Sequence, residues 1–597
     1  MPRKKNFQCC VKNTEKSFSK ALEALLLLFF CSFSCFLFPL SGEAVSRGAV
    51  ITEVIQSLNL PPWKGTNRFS DVPPGHPHAQ AIETASALGI LLPGSHFHPD
   101  IEATRAEALG FAFWAMGWQK EGQIVQALKG KNFSSRLPLH LEAFLHIASR
   151  INLPPPSLFL EAPEADCSSQ DLASLGRWLQ ECRKTRLIWE ESFQGNSGTL
   201  LVHRENLGYP PSSWGIQVLG IVSREEAHNL AQRLKKEGIN VSILPEGFGY
   251  TLRLGPYAHY YKAWGTLLRL SLQYSPTIVP FSGGSGGALF WCAIKGNPQQ
   301  LQPQIVFAAS LGEPKLPLSR IAEISKAEGG INGGYFTGST PIGTLYQGGF
   351  PLSETYKNRS ALGWNMKGEA FFGSGAFKSY LRTEKGIFPI NEINSPSNIS
   401  GIELVTPHLG PWARITQRGL ISQFREGKLA WRTYGNGVHP IPPGGYLCLA
   451  RGKGEELMRE VAMHSPAEIV MQWEEPEMQG MDAVIQGGPM LFKDRQAWTK
   501  NEGLPPNFTG NKHPRTLVGF DGKDLWWIVI DGRNSWHSLG VTIPEARRIA
   551  YALGMESALN LDGGGSSALW WQGVLINSPS GGKERFLPYG ILFGTSE

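Results

Sequence analysis

The stretch Ser557-Ala558-Leu559-Asn560-Leu561-Asp562-Gly563-Gly564-Gly565-Ser566-Ser567 carries the densest chemistry in the chain. A short apolar run delivers one carboxylate, and three glycines and two hydroxyls follow it. Three consecutive glycines cost backbone entropy and serve no regular element. They suit a place that needs positive φ, or one where backbone N–H groups approach a ligand closely. Asp562 then stands at a strand end beside amides able to hold an anion. The competing reading of Asp-Gly is a tight hairpin turn. Three other stretches share the order apolar run, polar residue, glycine: Ile331-Asn332-Gly333-Gly334-Tyr335-Phe336, Ile485-Gln486-Gly487-Gly488-Pro489 and Ile530-Asp531-Gly532-Arg533. His513-Pro514-Arg515-Thr516 lies among them. This shared grammar predicts strands that converge on one pocket.

Taken in order, the Asn332, Gln486, Pro514-Arg515-Thr516, Asp531-Gly532-Arg533 and Asn560–Ser567 motifs resemble those of the phosphodiester glycosidase family. That family includes the uncovering enzyme that removes N-acetylglucosamine from sugar-phosphate diesters. The resemblance spans residues 288–597 and implies a division of labour. Arg515 and Arg533 would hold phosphate oxygens bidentately, with the amides of Gly487, Gly488, Gly563, Gly564 and Gly565 and the Ser566 hydroxyl beside them. Asp562 would serve as base or nucleophile and Asp531 as the second carboxylate. Asn332 and Asn560, with Gly333 and Gly334, would bind sugar. His513 and His537 flank the motifs and could donate protons. No cofactor is implied, and no His-rich or paired-carboxylate spacing argues for a metal.

These residues need elements to position them. A chain of 597 residues is too long for one core. Its formal charge is +6, and residues 1–44, with six Lys or Arg against three Glu, account for half of that. No basic stripe appears, so nucleic acid is excluded as a partner. Basic residues precede an apolar run from Ala24 to Leu40, and Gly42-Glu43-Ala44 offers small residues at a cleavage site. Residues 1–44 therefore read as a signal peptide of a secreted or envelope-associated protein, the competing reading being an uncleaved N-terminal anchor. Cys167 and Cys182 are close enough to pair in an oxidising compartment, or to remain two buried thiols.

Thr104-Arg105-Ala106-Glu107 is a capping box opening a helix through Met116. With Phe69–His76 and Ala79–Ile90 it resembles the S-layer homology repeat, which attaches exported proteins to cell-wall polysaccharide. Ser46–Leu58 resembles part of a preceding repeat, and Leu137–Ala143 a decayed third. Residues 45–160 are thus expected to be a helical wall-binding prefix, and 161–213 a linker region. Residues 214–275 alternate strand, helix, strand, strand, helix, with Arg253-Leu254-Gly255-Pro256-Tyr257. They resemble the sporulation-related (SPOR) repeat, a peptidoglycan-binding module of ferredoxin-like shape. Ser282–Gly287, within 276–287, reads as a Gly/Ser linker. Residues 288–597 are expected to form a large α+β catalytic domain in which Thr542–Glu545 opens a helix.

The multidomain chain so predicted is an exported, wall-associated hydrolase acting on sugar-1-phosphodiesters of envelope glycans or exopolysaccharide. Its partners would be cell-wall polysaccharide, peptidoglycan and the glycan substrate. The competing reading is a wall protein whose enzyme-like domain only recognises glycans.

Overall fold

The computed structural model describes residues 43–595, apart from 61, 63–68, 89, 92–94, 131–137, 207–213, 222, 247–248, 258–259, 271–273, 275, 281–287, 396–399, 501 and 535–536. The leader and the Gly/Ser stretch 281–287 lie outside the described residues.

Three helices of the prefix begin alike. Ser46, Thr104 and Ser168 each accept a hydrogen bond from the amide three residues on, opening the helices Arg47–Ser57, Arg105–Ala115 and Ser169–Cys182. Glu107 and Asp171 return the bond to their caps, which completes two capping boxes. The segments at the caps pair with one another: Ala44 with Ser168, Ser46 with Glu102, Thr104 with Asp166. The helices thus start from one place and bury Val50, Val54, Leu109, Phe113, Leu175 and Leu179 in a shared core. The third such helix corrects the expected linker at 161–213. The helix Leu139–Ala148, where the third repeat at Leu137–Ala143 was expected, begins after Pro138 without a side-chain cap. Cys167 and Cys182 are separate buried thiols.

The rest of the supposed linker is a hairpin, Leu187–Gln194 with Thr199–Asn206. In its first strand Leu187, Trp189, Glu191 and Phe193 are buried and alternate with more exposed residues, the pattern of a sheet edge with one covered face. The hairpin begins an eight-stranded antiparallel sheet in the order Leu187–Gln194, Thr199–Asn206, Leu289–Gly296, Leu525–Ile530, Arg515–Phe520, Ser557–Asn560, Met490–Lys493 and Gln496–Ala497. Leu525-Trp526-Trp527-Ile528-Val529-Ile530 is buried at every position, as a central strand must be.

Thr199–Asn206 and Leu289–Gly296 are neighbours in register, with Glu205 opposite Leu289. The unit between them is therefore inserted at the tip of a hairpin. Its four antiparallel strands run in the order Val241–Glu246, Gly249–Tyr257, Trp214–Ile221, Pro276–Pro280, and the helices Arg224–Lys236 and Tyr260–Leu270 complete it. Ile216, Val218, Leu230, Leu234, Leu252 and Leu254 give it its own core. Pro276–Pro280, expected to be linker, is its fourth strand.

The prefix and the C-terminal sheets share one apolar core that runs from Val50 to Phe593. This corrects a division into an autonomous prefix and an autonomous 288–597 domain. A second sheet runs Val574–Leu575, Leu569–Trp571, Gly329–Asn332, Tyr589–Phe593, Gln304–Phe307, and a third contains Ala483–Gln486. Residues 377–473 add two more β-sheets, so the C-terminal region is largely β. Strands from three sheets end at Asn332, Gln486, Ile530 and Asn560.

A chain beginning at Ala288 loses Thr199–Asn206, one of the two partners of Leu289–Gly296, and the helical part of its core, so it is expected to be insoluble or molten. A chain from residue 43 with 210–283 replaced by a short Gly-Ser turn is expected to stay soluble and to melt cooperatively. Circular dichroism melts of the two decide it: a well-folded fragment from Ala288 contradicts the shared core.

Candidate active site

Asp562 follows the Ser557–Asn560 strand and stands half-buried at the start of the glycine turn. Backbone contacts place it. The Asn332 amide Nδ2 donates to the Asp562 carbonyl at 2.8 Å and to the Gly333 carbonyl at 3.1 Å. Asn332 Oδ1 accepts from Thr516 Oγ1 at 2.8 Å and from the Ala568 amide at 3.1 Å. All four bonds of this amide are internal, and the residue is 1% exposed. The turn must be glycine for local reasons. A Cβ on Gly563 would stand 2.8 Å from the Pro514 carbonyl oxygen, and Gly564 has φ +63°.

The Gly563 amide donates to Asp562 Oδ1 at 3.0 Å. Burial raises the Asp562 carboxyl above the usual range, while the Arg585 charge, Ser566 and the Gly563 amide act in the opposite sense. Burial and the nearby Asp562 charge also raise the hydroxyls of Tyr335 and Tyr589. Arg585 donates to Ser566 Oγ at 3.1 Å and lies over Gly565. Arg533, in the left-handed region at φ +65°, donates to Ser580 Oγ at 3.3 Å and faces His513 Nδ1 at 3.3 Å. Burial, and then repulsion from Arg585, lower Arg533 to about 9. Burial and Arg515 lower His513 to about 4, so its ring is neutral near pH 7. Arg585 and Ser566 thus act on the Asp562 carboxylate, and Arg533, with Ser580 and His513, stands over the adjoining Gly564. The arrangement is net cationic and suits a monoanionic diester.

Other expected site residues face inward. Arg515 donates from Nε to the Val541 carbonyl, and from Nη2 to those of Phe508 and Asn511, at 3.1, 2.6 and 3.1 Å. Only Nη1 is left for a ligand. Burial lowers this guanidinium to about 10. The Gly487 and Gly488 amides donate to the carbonyls of Ser360 and Asn560, and Gly564 to that of Pro514. These amides cannot also hold an anion. Gly333 and Gly334 pack on the Tyr589 ring, whose hydroxyl accepts from the Gly334 amide at 2.8 Å. Asn560 donates to Tyr335 Oη and to the carbonyls of Gly488 and Leu561, so it braces the same junction.

Asp531 is 1% exposed and both its oxygens are occupied. Oδ1 accepts from Asn577 Nδ2 at 2.9 Å, and Oδ2 accepts from the Ser578 amide at 2.7 Å and lies 2.9 Å from His537 Nε2. It anchors chain rather than facing substrate. His537 is buried with it.

Arg585, Ser580 and Asn577 were not singled out from sequence. Ser578-Pro579-Ser580-Gly581-Gly582 repeats the glycine-and-hydroxyl grammar of the other loops and could have marked them. Among the described residues no group of three or more His, Cys, Asp or Glu is disposed to hold a metal ion.

Residues 421–594 match the phosphodiester glycosidase family, and residues 210–280 match the SPOR domain. No curated protein matches the chain. Similar solved structures include a protein from Burkholderia pseudomallei, at 17% identity and TM-score 0.48 over 69% of this chain and 97% of that one. A hypothetical protein from Synechocystis is 17% identical at TM-score 0.44, over 68% and 77% of the two chains. The catalytic domain of zebrafish N-acetylglucosamine-1-phosphodiester α-N-acetylglucosaminidase, auto-inhibited by its pro-peptide, is 12% identical at TM-score 0.29, over 60% and 82%.

Replacing Asn332 by Ala strands buried donors and acceptors on three segments. The expected cost is about 3 kcal/mol or more of unfolding free energy, read from a urea titration. A variant of parental stability that only raises KM would return Asn332 to sugar binding.

Proposed function

We propose that the chain is an exported, wall-associated phosphodiester glycosidase that cleaves the bond between an anomeric carbon and phosphate. The single observation that carries this is the half-buried Asp562 carboxylate under the Arg585 charge, at a glycine turn that Arg533 overlies at Gly564, in a region that matches the family. In this reading the two guanidiniums receive the phosphodiester, with Arg515 Nη1, Ser566 and Ser580 completing the donors. Asp562, ionised, acts at the anomeric carbon as base or nucleophile. Phosphate is already a good leaving group. Arginine contacts that strengthen as its charge develops lower the barrier without a dedicated acid. Asp531 positions the loop beyond Asn577 and takes no direct part.

The inserted unit supports peptidoglycan binding: residues 210–280 match the SPOR domain, and the strand order is that of a ferredoxin-like fold. The three capped helices that start from one place support an S-layer-homology-like role for the prefix, with cell-wall polysaccharide as partner. The basic and apolar leader supports export. N-acetylglucosamine-1-phosphodiesters of envelope glycans or exopolysaccharide are the proposed substrates.

Incubation with a sugar-1-phosphodiester and measurement of released sugar tests the reading directly. Asp562→Asn keeps the size of the side chain and removes its charge. It is expected to fold and to lose about a hundredfold or more in kcat. Arg585→Met is expected to raise KM about tenfold or more, as a charge-assisted contact to phosphate is lost. It should also move the acid limb of kcat/KM to higher pH, because the Arg585 charge is what lowers the Asp562 carboxyl against its burial. A parental kcat in Asp562→Asn removes the catalytic assignment.

A further inference from the structure

The segment from Leu575 to Phe586 brings Ser580 and Arg585 to the site, so whatever fixes it fixes the cationic wall. Its first half is held to neighbouring chain: Leu575 pairs with Trp570, and the Ile576 amide donates to the Leu569 carbonyl. Asn577 Oδ1 accepts from the Leu569 amide, and its Nδ2 donates to Asp531 and to the Ser567 carbonyl. The Ser578 amide donates to Asp531. Farther on, the Glu584 carboxylate accepts from the amide and hydroxyl of Ser319.

Two consecutive residues of the prefix helix Gln119–Lys129 reach this same place. Lys120 Nζ donates to the Leu575 carbonyl at 2.6 Å, across 455 residues of sequence. Its ammonium is largely desolvated, with the Asp531 charge opposing that cost. Glu121 is fully buried, and its Oε1 lies 3.5 Å from Arg204 Nε and 3.5 Å from His537 Nδ1. Arg204, also fully buried, comes from the strand Thr199–Asn206, and its Nη1 stands 3.2 Å from His537 Nδ1. A guanidinium only donates, so Nδ1 accepts and the ring proton sits on Nε2. That proton points at Asp531 Oδ2. A continuous path therefore runs Glu121, Arg204, His537, Asp531, Ser578, with Lys120 holding the segment at Leu575, three residues before Ser578.

We propose that Lys120 and Glu121 are positioning residues for the 575–586 segment, so that the helical prefix is a working part of the active site and not only an attachment to the wall. Charges this deep are costly unless each has its partner. A tether alone would require none of them. The activity arm of the test rests on the proposed function; the exchange arm does not.

The test uses the full chain and three variants. Lys120→Met keeps the packed stem and removes the donor, Lys120→Arg restores a donor, and Glu121→Gln removes the buried negative charge at constant shape. In Lys120→Met the amides of 575–586 are expected to exchange hydrogen several-fold faster by mass spectrometry, with those of 214–257 unchanged. Its kcat/KM on a sugar-1-phosphodiester is expected to fall about tenfold or more. Lys120→Arg should recover most of both. Glu121→Gln should speed exchange in 531–538 as well as in 575–586. Parental exchange in Lys120→Met overturns the inference, as does a Lys120→Arg no better than Lys120→Met. Should the parent protein release no sugar, the proposed function fails, while the exchange comparison still decides the positioning role.

Discussion

Four hydrogen bonds to one buried amide, that of Asn332, determine where Asp562 stands. The amide joins the end of the Gly329–Asn332 strand to Thr516, to Ala568 and to the Asp562 carbonyl, which belong to different strands and turns. A carboxylate held through its own backbone keeps its side chain free for other work. The consequence is steric. The chain beyond Asp562 must pass within contact of the Pro514 carbonyl and then turn through φ +63°, so side chains are excluded just where the arginines converge. Small residues and a partly dehydrated carboxylate are two outcomes of the same constraint.

The organisation of the chain follows a similar logic. A unit inserted where Thr199–Asn206 hands over to Leu289–Gly296 leaves the main sheet intact, because the two flanking strands are already paired. The unit has a core of its own and disturbs little. The prefix is the opposite case: it shares the main core and sends Lys120 and Glu121 beneath the site. Position in the sequence therefore misleads about independence. The early segment is integral, and the middle segment is the accessory.

Much of the site was legible because each strand that reaches it ends in a polar residue and glycine, and that grammar does predict convergence. The direction in which those polar side chains point was not legible. Asn332, Asn560 and Arg515 have the chemistry to bind sugar and phosphate, yet their donors are taken by backbone carbonyls and neighbouring turns. Asp531 looked equivalent to Asp562, since each is an aspartate before glycine at a strand end. They differ because three donors close on Asp531, whereas Asp562 keeps an opening toward Arg585. The misread linker had a readable signal in the alternation of Leu187, Trp189, Glu191 and Phe193, obscured by the charged residues between them. Lys120 and Glu121 carried no local signal at all; only a contact spanning most of the chain gives them meaning.

In the proposed reaction Asp562 directs attack at the anomeric carbon while the arginines retain the phosphate as leaving group. Hydrolysis of a sugar-1-phosphodiester in water enriched in oxygen-18, followed by mass spectrometry of both products, shows which bond is cut. Cleavage between carbon and oxygen places the label in the anomeric hydroxyl of the released sugar and leaves the phosphate unlabelled, which is the result expected. Label in the phosphate would mean that water attacked phosphorus, and would contradict the assignment of Asp562 and of the reaction.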